Sequence, residues 1–313
     1  MPALDRAAWL RGAAGAAPRW DRQGPQRRLW VTVGGELAVQ DDPVAVLWRE
    51  GPGGGVPDLD ADGVADGVEV FLGQQDAAAL VAVVVEDVDA VSLPPGARWA
   101  DLKQVGEELA PADLTAALTA VGMARWHQTH RFSPRTGRPT QVAASGWVRR
   151  EEDGREHYPR TDAAVIMSVV DDRDRLLLAR GQSWPAGRLS VLAGFVEPGE
   201  SLEEAVAREV LEEVSVSVDD VRYVASQPWP FPASLMVGFT AQAGVQPEGI
   251  EPTALEHDEI VEAHWFSRED LEGALAAQEV GLPGPFSIAR RLIEHWYGGP
   301  LPVVEELRGS VRG

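Results

Sequence analysis

Glu209, Glu212 and Glu213 stand at positions i, i+3 and i+4 of one segment, beside Arg208. At roughly 100° per residue they share one helix face, while Ala207, Val210, Leu211 and Val214 occupy another. Carboxylates this close repel one another unless a cation neutralises them. Hard oxygen donors suit magnesium or manganese, and those ions suit phosphate chemistry. The plain alternative is a solvated acidic face, but the surroundings favour a site. Ser201 and Glu204 form a capping-box pattern, Pro198-Gly199 signals a turn, and Ser190 to Gly194 reads as a strand end. A strand, a glycine loop and a carboxylate-bearing helix follow in that order.

A second segment, Gln227-Pro228-Trp229-Pro230-Phe231-Pro232-Ala233-Ser234, alternates prolines with aromatic residues. Such a density forbids a regular helix or central strand and predicts a stiff, preformed loop. Trp229 and Phe231 offer flat faces for a base, and Gln227 and Ser234 offer hydrogen bonds. The competing reading is a rigid loop that packs its aromatics on the core.

The run from Gly194 to Val216 resembles the Nudix box at every specified position except the last glycine, which is Ser215 here. The Gln227–Ser234 array, with Ser226 before it, resembles that of the NAD(H) pyrophosphatase branch of the Nudix hydrolases. His157-Tyr158-Pro159-Arg160, Glu259 and the Ser287–Ile293 segment are similar to further parts of that branch, so the likeness covers roughly Arg125 to His295. It implies hydrolysis of the diphosphate of NADH or NAD+ to AMP and nicotinamide mononucleotide, with NAD-capped RNA 5′ ends as a further substrate. It also implies a metal set of Glu209, Glu213, Glu259 and the Ala193 carbonyl, with Mg2+ or Mn2+ as cofactor. Glu212 is then a ligand or helps activate water, Arg208 orients a glutamate, and Glu200 anchors the loop. Phe195 is placed to stack on the nicotinamide, with Tyr158 supplied to its other face by the partner in a homodimer. Gln227, Pro228, Trp229, Pro230, Phe231, Pro232, Ala233, Ser234 and Ala289 would define the rest of the pocket. Alternatives are a Nudix hydrolase of ADP-ribose or dinucleoside polyphosphates, or a non-catalytic nucleotide sensor. The proline array counts against the first, and the intact carboxylates count against the second.

Two departures bear on the expectation. Members of this branch commonly carry a four-cysteine zinc ribbon, yet this chain has no cysteine. Ser133 and Thr136 stand at the first pair and Glu151 to Gly154 replaces the second, so no zinc is expected. Packing of Trp147 and Pro139, or a dimer, is expected to hold the segment. Ser215 in turn ends the glutamate helix in a left-handed conformation, at a cost of about 1 kcal/mol without removing a ligand.

The 313 residues are enough for two domains, and 44% hydrophobic with 25% charged residues is a globular composition. No apolar run approaches the roughly 18–20 residues of a membrane span, and no basic-then-apolar leader is read, so the expectation is a cytoplasmic protein. A net charge of −21 argues against broad nucleic-acid binding, so an anionic substrate must be met locally.

The elements that must position these residues form an α+β chain ending in an α-β-α sandwich. Residues 1–125 read as an α+β domain, 126–161 as a connector matching the degenerate ribbon, and 162–313 as a Nudix fold with a mixed sheet flanked by helices. Strands are expected at Leu29–Val33, Ala45–Trp48, Gly67–Leu72, Leu80–Val85, Ala163–Val170, Leu176–Arg180, Val218–Ser226, Leu235–Ala241 and Val261–Phe266. Helices are expected at Trp99–Leu109, Pro111–His130, from Leu202, at Arg268–Ala277 and at Ile288–Tyr297, with a glycine-rich turn at Gly51–Gly55. No internal repeat is evident.

Overall fold

The computed structural model describes residues 4–12, 20, 24–51, 64–244 and 259–301. Most of the Gly51–Gly55 turn, and Asp258 next to Glu259, lie outside these. Two compact units form, one of Met1–Thr161 with Trp229–Ala233, the other of Asp162–Pro228 with Ser234–Gly313.

The first unit contains β1 (Gln26–Thr32), β2 (Glu36–Asp41), β3 (Val44–Val46), β4 (Arg49–Glu50), β5 (Val64–Gln75), β6 (Ala78–Val85) and β7 (Ala97–Asp101). Its sheet runs β3-β2-β1-β6-β5, with β4 on β1 and β7 on β2. The continuous apolar run of β6 is buried along its whole length, as a central strand covered on both faces should be. After α1 (Leu102–Val105) comes α2 (Pro111–Thr129), whose Ala116, Ala117, Ala120, Val121 and Ala124 pack on Leu29, Val31, Leu80 and Val84.

The helix expected over Trp99–Leu109 is a correction: the segment splits into β7 and the single turn α1. Trp99 lies opposite Ala38 of β2 and donates its indole N–H to Val88 O, so sheet pairing overrides local propensity. Asp101 then caps α1 by accepting from the Lys103 N–H.

The connector forms its own three-stranded sheet from β8 (Gln141–Ala143), β9 (Val148–Arg150) and β10 (Glu156–His157). Trp147 does pack against the core of the first unit and donates to Phe71 O, as expected. A polar centre adds to that packing. The Glu151 carboxylate is buried and accepts from Thr136 Oγ1 at 2.7 Å, while His157 Nε2 lies 3.0 Å from its other oxygen. Thr136, foremost, together with Ser133, His157 and Arg155, holds the Glu151 carboxyl down at about 2 against the opposing effect of burial.

The second unit contains β11 (Asp162–Val170), β12 (Leu176–Gly181), β13 (Leu192–Phe195), α3 (Leu202–Val214), β14 (Val218–Trp229), β15 (Ser234–Ala243), β16 (Ile260–Phe266), α4 (Arg268–Ala276) and α5 (Ile288–Tyr297). The sheet order is β14-β15-β11-β12-β16, with β13 paired to β11. Strand alternation sends Val165, Met167 and Val169 toward Val206 and Val210 of α3. Ile166, Leu176 and Leu178 go toward Leu271, Leu292 and Ile293 of α4 and α5. Helices therefore cover both faces, the expected sandwich. Pro228 falls inside β14, further along than the expected strand end; β14 is an edge strand, where a missing N–H breaks no ladder.

The order β3-β2-β1-β6-β5 is matched position by position by β16-β12-β11-β15-β14. In both units the central strand has an antiparallel hairpin partner (β2, β12) and a parallel partner (β6, β15).

Candidate active site

Ala193 pairs with Ile166 in the middle of β11, so the end of β13 is fixed by a central strand. The chain then turns through Gly194 to Glu200 and enters α3 at Ser201. Both halves of the capping box are present: Ser201 accepts from the Glu204 N–H, and Glu204 accepts from the Ser201 N–H. The cap fixes where the helix begins, and with it which face carries Glu209, Glu212 and Glu213.

Glycine at 194 is required by contact. A β-carbon there would lie 1.9 Å from the carboxyl carbon of Glu209, so the missing side chain makes the room that carboxylate occupies. Arg208 gathers the loop and the helix. Its Nε and Nη2 grip the two Glu200 oxygens at 2.8 and 3.0 Å, and Nη2 also donates to Phe195 O at 2.9 Å. Its Nη1 reaches Glu209 at 2.9 Å and Glu212 at 3.3 Å. The bidentate partner is thus Glu200, which also accepts from the Glu197 N–H and ties the loop to itself. Glu200, first, then Glu209 and Glu212 push the guanidinium further toward its charged form.

Glu213 differs from its neighbours. Its Oε2 is buried and has no hydrogen-bond partner. Burial, then Glu209, then Glu259, push its carboxyl up to about 8. Glu259 immediately precedes β16 and is exposed. Glu212 is exposed. A buried orphan oxygen among further carboxylates is a donor set that fits a hard cation. Among the described residues no three such side chains close a cage by themselves.

The remaining predicted residues divide. Phe195 follows the loop glycine and is 59% exposed, free to meet a ring. Gln227 spends its side chain on α5, donating to Phe286 O and accepting from the Ile288 N–H, both at 2.7 Å. Ser234 and Ala289 are buried. In the first unit, Phe231 packs on the hydrophobic core with Arg125 and Lys103 against its ring, and Trp229 meets it edge-on. Tyr158 is 64% exposed and donates its hydroxyl to Glu156 at 2.6 Å. The role of Glu151 was not legible in the sequence, because an acidic residue in a connector carries no signal of burial.

Fold and site together define a class: a phosphoanhydride hydrolase built on one acidic helix behind a glycine loop. A NUDIX domain matches residues 159–284, and an NADH pyrophosphatase-like rudimentary NUDIX domain matches residues 28–126. This chain belongs to the Nudix family, with the rudimentary domain of the NADH pyrophosphatase-like group preceding the complete one. The NAD-capped RNA hydrolase NudC of Mycobacterium bovis is 42% identical over 237 residues, spanning 72% of this chain and 74% of its own. The NudC of Mycobacterium tuberculosis gives the same figures. The NAD-capped RNA hydrolase NUDT12 of Homo sapiens is 41% identical over 184 residues, spanning 55% of this chain and 39% of its own. The matched strand orders of the two units are the structural counterpart of the two domain matches.

Proposed function

We propose that this chain hydrolyses the diphosphate of NADH or NAD+, giving AMP and nicotinamide mononucleotide, and removes NAD caps from RNA. Water adds to one phosphorus, the bridging P–O bond breaks, and each product leaves as a phosphate monoester. The observation that carries this reading is the buried, unpartnered Glu213 oxygen on the helix face it shares with Glu209. Glu209, Glu213, Glu259 and the Ala193 carbonyl would hold Mg2+ or Mn2+, which neutralises non-bridging oxygens and lowers the pKa of bound water. Arg208 and Glu200 fix the loop so that Phe195 presents its ring to the nicotinamide. Glu212, exposed on the same helix face, serves as a further ligand or positions water. The similarity to the NudC proteins supports the substrate class, and the protein acts as a homodimer in which Tyr158 comes from the second copy.

Glu213→Gln keeps the shape and removes the charge. It is expected to lower kcat on NADH by at least a hundred-fold at saturating metal, with an unchanged circular dichroism spectrum. Near-normal turnover by that variant would overturn the metal assignment.

A further inference from the structure

The turn between β12 and β13 holds an aromatic side chain that the reaction described above does not use. Trp184 is 36% exposed in a turn whose neighbours Gln182, Ser183, Pro185, Ala186 and Arg188 are exposed as well. The turn is nonetheless held firmly. The Trp184 N–H donates to Gly181 O at 3.0 Å, Arg180 Nη1 donates to Trp184 O at 3.1 Å, and the Gly281 N–H donates to Gly187 O at 2.8 Å. An exposed indole on a rigid turn is a preorganised surface.

Its position ties it to the acidic centre. The Gln182 N–H donates to the backbone carbonyl of Glu259 at 2.9 Å. That carbonyl and the Trp184 ring both lie within 4 Å of the point where a Gly181 β-carbon would stand. Glu259 belongs to the metal set proposed above, so the indole stands beside the backbone of a residue of that set.

Beside it is a cation. The Arg188 guanidinium lies 5.4 Å from the Trp184 ring centroid and is exposed. Among the described residues it has no ion-pair partner, in a chain with 49 acidic residues. Arg180, by contrast, is paired with Glu262. A flat ring with an unpaired guanidinium is the unit that proteins use for single-stranded nucleic acid: the ring stacks a base and the cation meets a phosphate.

We infer that Trp184 and Arg188 form a subsite for the first nucleotide beyond the cap of NAD-capped RNA, its base on the indole and its 5′-phosphate at the guanidinium. This rests on the function proposed above. In that reading both phosphates of free NADH belong to the carboxylate cluster and its nicotinamide to Phe195, so the dinucleotide has no phosphate left for Arg188. The phosphodiester that links the cap to the RNA supplies one. Stacking is tolerant of base identity, so the subsite serves any sequence.

The test is the ratio of kcat/KM on a short NAD-capped RNA to that on free NADH, for wild type, Trp184→Ala, Trp184→Tyr and Arg188→Gln. Trp184→Ala is expected to lower the ratio about ten-fold, chiefly through KM, and Trp184→Tyr to recover most of it. Arg188→Gln is expected to lower the ratio and to flatten the salt dependence on RNA by a log–log slope of about 0.7. A ratio unchanged in Trp184→Ala, or an equal fall on both substrates, overturns the subsite. Wild-type enzyme active on NADH but silent on capped RNA overturns it while leaving the diphosphatase reading intact. Silence on both substrates overturns both.

Discussion

At the scale of single residues, Ser215 separates what the helix end needs from what the chemistry needs. It closes α3 at φ 53° and ψ 29°, its N–H still bonded to Leu211 O. A left-handed residue with a β-carbon costs about 1 kcal/mol against glycine. Ser215→Gly is therefore expected to stabilise the protein by about that amount in urea unfolding, with kcat on NADH unchanged. A loss of stability would mean that the serine has a favourable contact outweighing its strain. The carboxylates and the capping box were legible from spacing, because each depends on neighbours close in sequence, and the left-handed end followed from the likeness to the Nudix box. Burial was not. Nothing in E-x-x-E-E says that Glu213 is enclosed with an orphan oxygen while Glu212 lies in solvent.

At the scale of elements, the connector shows how a short sheet can be organised around a carboxylate. Glu151 draws Thr136, Ser133 and His157 to one point, and it sits where a cysteine pair is common in similar chains. The segment should fold without zinc. The sign of its pH dependence follows from the lowered carboxyl. Stability from ionised Glu151 is complete above the usual 4.5 and is lost as pH falls through about 2. Thermal melts of wild type should lose stability across that window, and Glu151→Gln should lack this component while melting lower at neutral pH. Superimposable acid profiles for the two would remove Glu151 from the centre of the segment. The same scale explains the error over Trp99–Leu109. Its apolar spacing suits a helix, but pairing with β2 is a non-local gain that no local window contains. The Gln227–Ser234 array was legible as stiff. Which faces it turns to the core was not: both readings of its aromatics stood open, and Phe231 is partly buried against the core of the first unit.

At the scale of the whole molecule, the strand orders of the two units agree, while the glutamate helix lies in the second. Symmetric homo-oligomers can complete a site with a residue from the neighbouring copy. Tyr158 has the properties such a residue needs: its ring is largely exposed, it follows β10 of the Glu151-centred sheet, and its hydroxyl is held by Glu156. If it serves the partner's site, Tyr158→Ala and Glu213→Gln disable different parts of one composite site. Each variant alone should be nearly inactive on NADH. In a mixed dimer, one site combines an intact Glu213 from the first variant with an intact Tyr158 from the second, and the other site carries both lesions. Random assortment of equal amounts makes about half the dimers mixed, so co-refolding the two should restore about a quarter of wild-type activity. Were Tyr158 to act within its own chain, or in no dimer at all, the mixture would show only the sum of the two residual rates. The restored fraction, read beside a sedimentation measurement of size, therefore decides both the oligomeric state and the side of the interface on which Tyr158 works.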